Sequence, residues 1–340
     1  MTDGECRLLR SLIDDAENIV LCCHTSPDGD ALGSMLGWAE LLRTQGKEAL
    51  MVVPDQYPDY LQWMPNTEKI VRYDKRKDFV DTVLKIADLV FCLDFNTLSR
   101  TDSMEESLKA SPAKKVLIDH HLDPDVDAVL CISHPDMSST CELVFRIVWQ
   151  MGIYEMQGKH FAGPIYCGMM TDTGGFTFNS TNSEIFFIIS QLLTKHINKD
   201  KIYRCVYNNY SEHRLRMVGH VLCNCLVVDN NNHVAYYTLS RKDMKRFHFV
   251  KGDAEGLVNM PLQIKGLKLS ISLREDSERD NLIWVSLRSV DDFPCNKMAE
   301  LFFGGGGHLN ASGGRVNGTM EEAVETVKKA IAAFESKLKG

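Results

Sequence analysis

Four segments of this 340-residue chain carry acidic or imidazole side chains directly after an apolar run: His24-Thr-Ser-Pro-Asp28-Gly-Asp30, Asp94, Asp119-His120-His121 and Asp172. His24, Asp28, Asp30, Asp94, His120 and Asp172 each offer a carboxylate oxygen or an imidazole nitrogen to a cation. A donor set of this kind, with no thiolate, suits Mn²⁺ or Mg²⁺ better than Zn²⁺ or Cu(I). Two such ions about 3.5–4 Å apart need a shared carboxylate, and they activate water for in-line attack on phosphorus. Each segment also has a plainer reading. The first could be a strand-turn-helix junction in which an aspartate such as Asp30 caps the helix. Asp94 and Asp172 would sit in turns, and a pair of adjacent histidines arises often enough by chance. Four such segments together favour the metal reading. Cys22 and Cys23 lie inside the apolar run before His24 and read as core, not as soft ligands.

The most unusual stretch lies near the C-terminus, Phe302-Phe-Gly304-Gly305-Gly306-Gly307-His308-Leu-Asn-Ala-Ser-Gly313-Gly314. Successive glycines let backbone amides approach an anion closely, and a helix-like turn after them would add its positive end. His308 would then contact a phosphate oxygen or a base. The plainer reading is a flexible loop before the last helix. Upstream, Trp284-Val-Ser-Leu-Arg288-Ser alternates as a strand and projects Arg288, a residue type that grips phosphate with two donors.

These side chains need elements to hold them. Ile19–Cys23, Ala49–Val53, Leu89–Leu93 and Val116–Ile118 are strand-length apolar runs separated by helical patterns, such as Ala31–Arg43 and Cys141–Met151. That alternation predicts an α/β domain with a parallel sheet flanked by helices, and ligands bind such sheets at the carboxyl ends of the strands. Ser139 followed by Glu142 predicts a capping box at the start of the second helix. Ala162, Ile165, Tyr166 and Met169 recur at helical spacing, and Glu184–Lys195 continues as a helix. Beyond them the pattern changes to hairpins, Leu226–Val228 with Val234–Leu239 and Leu267–Leu273 with Leu282–Val290, followed by an amphipathic helix over Met320–Leu338. The expected division is a metal-binding domain over 1–196, a polar linker over 197–214 and a smaller mixed α/β domain over 215–340.

Composition narrows the function classes. Hydrophobic residues are 44% and charged residues 25% of the chain, ordinary for a folded globular protein. Acidic residues outnumber basic ones, 46 to 38, for a formal charge of -8. Proteins that hold long duplexes usually carry a basic stripe, so a short nucleotide substrate fits better than long nucleic acid. The 11 cysteines form no zinc-ribbon pattern, and Cys223-x-Cys225 has no second half at ligand spacing. No run of 18 apolar residues would span a bilayer. Reduced thiols in a cytoplasmic protein, without a membrane partner, are the expectation.

The ordered set His24-x-x-x-Asp28-Gly-Asp30-Ala-Leu-Gly-Ser34, Asp94, Asp119-His120-His121 and Asp172 resembles the four motifs of the DHH phosphoesterase family. Gly304–Gly314 and Ser286-Leu-Arg288-Ser289 resemble the glycine stretch and arginine strand of the DHHA1 substrate domain, with four glycines before the histidine where the family has three. The resemblance implies two lobes with a cleft between them and two Mn²⁺ ions, with Mg²⁺ or Co²⁺ as substitutes. By that resemblance His24, Asp28 and Asp94 would hold one ion, and Asp30, Asp94, His120 and Asp172 the other. Asp94 would bridge them, a bridging hydroxide would be the nucleophile, His121 would face substrate, and Asp119 would orient the histidines. Arg288, Gly305, Gly306, Gly307 and His308 would hold the substrate's phosphate. Within the family, RecJ-type nucleases, membrane-bound cyclic-dinucleotide esterases and family II pyrophosphatases carry domains or signatures not seen here. The implied activity is therefore hydrolysis of very short oligonucleotides, roughly two to five nucleotides long, which need no extended basic track. A 3'-phosphatase activity on 3'-phosphoadenosine-5'-phosphate (pAp) accompanies it, and a homodimer is compatible with the sequence. The alternatives are a hydrolase of linear or cyclic dinucleotides and a non-enzymatic nucleotide sensor.

Overall fold

A computed structural model describes residues 1–250 and 252–339 and divides the chain into two compact units, Met1–Asn209 and Tyr210–Gly340. The first is built on a six-stranded sheet of β1 (Ile19–Cys22), β2 (Ala49–Val53), β3 (Val71–Arg72), β4 (Leu89–Leu93), β5 (Lys114–Asp119) and β6 (Leu130–Ser133). All its pairings are parallel, in the order β3-β2-β1-β4-β5-β6. β1 and β4 are buried at every residue, which is why they read as unbroken apolar runs and not as alternating ones. The order of connection reverses between β1 and β4, so the chain leaves their carboxyl ends in opposite directions and opens a crevice there. His24 follows β1, and Asp94 follows β4.

Three helices close one face of this crevice. Asp28 caps the helix Gly29–Thr44, its Oδ1 accepting from the amides of Asp30 and Ala31, both at 3.0 Å. The cap is thus Asp28, and Asp30 lies two residues on, in the first turn, with a different task. Helix Gly29–Thr44 packs along Lys159–Asp172 and against Thr140–Gln150, and small residues make the approach possible. A Cβ on Gly168 would lie 2.2 Å from the Cys141 sulfur and 2.9 Å from Asp30 Oδ1. Ser139 Oγ accepts from the Glu142 amide, as expected. The Glu142 carboxylate, however, returns to the amide and hydroxyl of Ser138, at 2.8 and 2.6 Å, so the box is shifted by one residue.

Residues 197–214 were expected as a linker, yet they contain the helix Lys199–Tyr207, capped by Asn198 and burying Ile202 and Val206. Polar residues on its outer face hide this apolar stripe in the sequence. The second unit carries a mixed sheet of β7 (Leu226–Asp229), β8 (Val234–Leu239), β9 (Leu269–Glu275), β10 (Leu282–Ser289), β11 (Gly306–His308) and β12 (Ala311–Asn317). Its order is β11-β12-β10-β9-β8-β7, and β8–β9 is its parallel pair. Both expected hairpins form. The last helix is Met320–Ala333, broken at Phe334 before a short helix Glu335–Lys339.

The helix packing makes a stability prediction. Gly168→Ala forces a methyl against Cys141 and Asp30 and should destabilise the protein by about 1–3 kcal/mol. Urea unfolding of wild type and variant checks this.

Candidate metal and phosphoester site

The crevice gathers every N-terminal residue singled out in the sequence. His24 Nε2 lies 3.5 Å from Asp94 Oδ2 and 3.9 Å from Asp28 Oδ1. His120 Nε2 lies 3.7 Å from Asp94 Oδ1, 3.8 Å from Asp30 Oδ2 and 3.4 Å from Asp172 Oδ2. The two oxygens of Asp94 therefore face different sets of donors. The ligand atoms of His24, Asp28 and Asp94 all fall within 4.8 Å of one another, as do those of Asp30, His120 and Asp172.

Backbone carbonyls fix the imidazoles. His24 Nδ1 is 2.8 Å from the Thr25 carbonyl, and His120 Nδ1 is 3.2 Å from the Met137 carbonyl. With its proton on Nδ1, each ring turns the Nε2 lone pair toward the carboxylates, the tautomer a cation needs. His121 differs: its Nδ1 donates to Asp119 Oδ1 at 2.7 Å, and Asp119 is fully buried. Asp119 orients His121 in this way, and its other oxygen, Oδ2, has no hydrogen-bond partner.

Three further features of the crevice stand out. Asp94 adopts a left-handed backbone, φ 64°, at the end of β4 while its amide donates to the Ile118 carbonyl of β5. Non-glycine residues rarely hold this conformation, and it turns the carboxylate back over the strand ends. Asp172 is the last residue of the helix Lys159–Asp172, not a free turn, so its carboxylate sits at the negative end of the helix dipole. Asp30, 1% exposed, receives the Thr140 amide on Oδ2 at 2.7 Å and the Cys141 amide on Oδ1 at 2.8 Å. Thr140, which the sequence reading missed, also donates its hydroxyl to Asp94 Oδ1 at 2.9 Å. The only trace of it in the sequence is a run of small hydroxyl residues, Ser138-Ser139-Thr140, before an apolar helix.

The electrostatics describe a site with surplus negative charge. Burial, with the nearby carboxylates of Asp94, Asp172 and Asp28, pushes Asp30 far above the usual carboxylate range. Burial also opposes ionisation of Asp94, but the His24 hydrogen bond and the charges of His121, His24 and His120 outweigh it and hold Asp94 well below that range. Burial disfavours the charged forms of His24 and His120, and their carboxylate neighbours more than reverse this. Converging carboxylates, those of Asp30 and Asp94 buried and that of Asp172 at a helix C-terminus, with imidazole lone pairs aimed among them, fit divalent cations by donor chemistry and by charge.

In the second unit, Arg288 on β10 pairs with Ala311 on β12, and Ala311 pairs with His308 on β11. Directly opposed residues share a face, so Arg288 and His308 project on one side of the sheet, two strands apart. The glycine stretch is not the expected phosphate loop before a helix turn. Gly304 ends the preceding helix Cys295–Phe303 in a left-handed cap, φ 55°, and Gly306 and Gly307 then run as edge strand with His308. Gly305 is excluded from bearing a side chain by β12, since its Cβ would lie 1.8 Å from the Gly313 carbonyl. These glycines serve close strand packing first, a need that a linear reading cannot separate from anion binding. Gly306 alone among Gly305, Gly306 and Gly307 has open space beside it.

Comparison with known proteins follows the same division. Residues 18–169 match the DHH family N-terminal domain, and residues 231–337 match the DHHA1 domain. A bifunctional oligoribonuclease and PAP phosphatase of Thermus thermophilus is 28% identical over 96% of this chain and 93% of its own length. A cyclic-di-AMP phosphodiesterase of Bacillus subtilis is 24% identical over 96% of this chain but only 49% of its own. The crystal structure of an exopolyphosphatase-related protein from Bacteroides fragilis is 48% identical, with a TM-score of 0.95, over 100% of this chain and 98% of that one. The chain belongs to the DHH phosphoesterase family, as a phosphoric-ester hydrolase that carries a DHHA1 domain.

Proposed function

We propose that this protein degrades very short oligonucleotides to 5'-mononucleotides and removes the 3'-phosphate of pAp, with two Mn²⁺ ions as cofactor. The observation that carries the reading is the placement of Asp94, whose two carboxylate oxygens face two separate donor sets. The full-length match to the Thermus oligoribonuclease and PAP phosphatase supports the substrate class. His24, Asp28 and Asp94 would hold one cation, and Asp30, Asp94, His120 and Asp172 the other. When bound, the pair supplies activated water at neutral pH and offsets the charge that builds on the phosphoryl oxygens. Mg²⁺ or Co²⁺ can take the same ligands.

This chain's own residues do the rest. Asp119 holds the His121 ring, and the second ring nitrogen is then set to contact a phosphoryl oxygen or protonate a leaving oxygen. Thr140 and the first amides of its helix hold Asp94 and Asp30 in the rotamers that face the donor sets. Arg288 and His308, on one sheet face, grip the phosphate of the nucleotide, and Gly306 leaves room for it. The catalytic unit would span residues 1–196 and the substrate-binding unit 215–340. The eleven cysteines are all unpaired thiols, which supports a reducing, cytoplasmic setting. Among the described residues no helix is long and apolar enough to cross a membrane.

The second reading, hydrolysis of linear or cyclic dinucleotides, rests on the match to the cyclic-di-AMP phosphodiesterase. Product analysis separates the two. Purified protein with Mn²⁺ is given a 5'-phosphorylated RNA dinucleotide, a 24-mer, pAp, linear and cyclic di-adenylate, and pyrophosphate. Fast mononucleotide release from the dinucleotide and turnover of pAp, with a slow 24-mer, is expected. Preference for cyclic di-adenylate establishes the second reading, and turnover of pyrophosphate alone refutes both.

Two variant series test the roles. Asp94→Ala should lower kcat by on the order of a thousandfold or more. Thr140→Val should weaken Mn²⁺ affinity or turnover by about 10–100-fold, as expected for a group that orients ligands. Arg288→Ala should raise KM for the dinucleotide about tenfold while leaving Mn²⁺ affinity unchanged, because it removes a charge-assisted phosphate contact. Lost Mn²⁺ affinity in Arg288→Ala would show that its role is misassigned.

A further inference from the structure

A second group of ligating side chains lies in the C-terminal unit and plays no part in the reading above. His220 ends the helix Glu212–His220, Cys225 ends the π-helical turn Val221–Cys225, and Asp243 lies in the helix Arg241–Arg246. Their ligand atoms all lie within 4.8 Å of one another. His220 Nε2 is 3.1 Å from Asp243 Oδ1, and the two side chains are only 19% and 20% exposed. On the other side of the ring, Asn224 Nδ2 lies 3.1 Å from His220 Nδ1 and 3.2 Å from the His220 carbonyl. The ring is thus held from both sides.

The plainer account is local. Asp243 completes a capping box with Ser240, and the histidine is one more partner of that carboxylate. This account occupies Oδ2, which receives the Ser240 hydroxyl at 2.5 Å, and assigns Oδ1 to His220. It leaves the position of the thiol unexplained. In a regular α-helix, a residue five positions on lies about 140° around the axis from the first. Here the helix widens, and the Leu226 amide bonds back to the Val221 carbonyl, five residues earlier. That wider turn brings Cys225 back over His220. Such turns are rare and occur frequently at functional sites.

We propose that His220 Nε2, Cys225 Sγ and Asp243 Oδ1 form a Zn²⁺ site, with water as the fourth ligand. One imidazole, one thiolate and one carboxylate make a tetrahedral donor set of the kind zinc takes, in contrast to the thiolate-free crevice of the N-terminal unit. With zinc bond lengths of about 2.0–2.3 Å, neighbouring donors in a tetrahedron lie about 3.3–3.6 Å apart. The donor atoms here are all within 4.8 Å of one another, and the His220–Asp243 pair is already at 3.1 Å. Binding releases the Cys225 thiol proton, while the proton that His220 Nε2 now shares with Asp243 moves to Nδ1 and the Asn224 side-chain amide turns its oxygen to accept it. The ion would brace the helix Glu212–His220 to the helix Arg241–Arg246 across the apolar cluster of Met217, Val221 and Met244.

Cobalt reports this site directly, because a sulfur-to-cobalt charge-transfer band requires a thiolate ligand. Metal-free full-length protein is titrated with Co²⁺ and then with Zn²⁺. The near-ultraviolet band should appear, level off at the intensity of about one thiolate-bound ion per chain once the two crevice sites that also take Co²⁺ are filled, and be bleached by Zn²⁺. Cys225→Ser should abolish it, and His220→Gln and Asp243→Asn should each weaken Co²⁺ binding at least tenfold. Cys223→Ser, a change at the exposed neighbouring thiol, should leave it intact. Circular dichroism of each variant confirms folding, and a misfolded variant yields to the other two. No band in wild type, a band that survives Cys225→Ser, or one lost in Cys223→Ser would overturn the proposal.

Discussion

Four carboxylates, those of Asp28, Asp30, Asp94 and Asp172, are brought together at one sheet edge with the imidazoles of His24 and His120. Such a group repels itself, and the architecture of the N-terminal unit can be understood as the means of holding it. β1 and β4 carry His24 and Asp94 to the point where the strand order reverses. The N-terminus of helix Thr140–Gln150 donates two amides to Asp30, the most deeply buried of the four, and a hydroxyl to Asp94. Asp28 spends one oxygen on the helix that carries Asp30. Asp172 sits at the end of its helix, where the helix dipole opposes its charge. The protein therefore compensates this charge in part, and under the proposed function divalent cations would complete the compensation. The same cations would activate water, so that one constraint would serve both the fold and the chemistry.

Much of this arrangement was legible in the sequence, for a specific reason. Central strands of a parallel sheet are apolar on both faces, so β1, β2, β4 and β5 stand out as runs, and polar residues that follow them stand out in turn. Where that contrast fails, reading fails with it. β3 is two residues long, and β12, Ala-Ser-Gly-Gly-Arg-Val-Asn, has no apolar alternation; both are edge or near-edge strands that sequence periodicity cannot mark. The helix Lys199–Tyr207 buries two residues among polar ones and looks like a linker.

The site shows the same pattern. The candidate ligands that follow strands stand out in the sequence, while the groups that hold them do so only in part. Asp119 was recognisable because it adjoins two histidines. Thr140 was not, because its hydroxyl acts 46 residues away on Asp94, across the sheet edge. The glycine stretch was over-read in one respect: the cap at Gly304 and the close approach at Gly305 are demands of packing, and they require glycine whatever the strand binds. Likewise His220, Cys225 and Asp243 have no motif spacing. The approach of Cys225 to the other two depends on a single widened turn, which no local propensity predicts.

The central claim is that Asp94 joins two cation sites, and anomalous diffraction from crystals soaked in Mn²⁺ tests it most directly. The account predicts two anomalous peaks about 3.5–4 Å apart, one on each side of the Asp94 carboxylate. One peak should lie against His24 and Asp28, and the other against Asp30, His120 and Asp172. A single peak, or a pair that does not share Asp94, would contradict it.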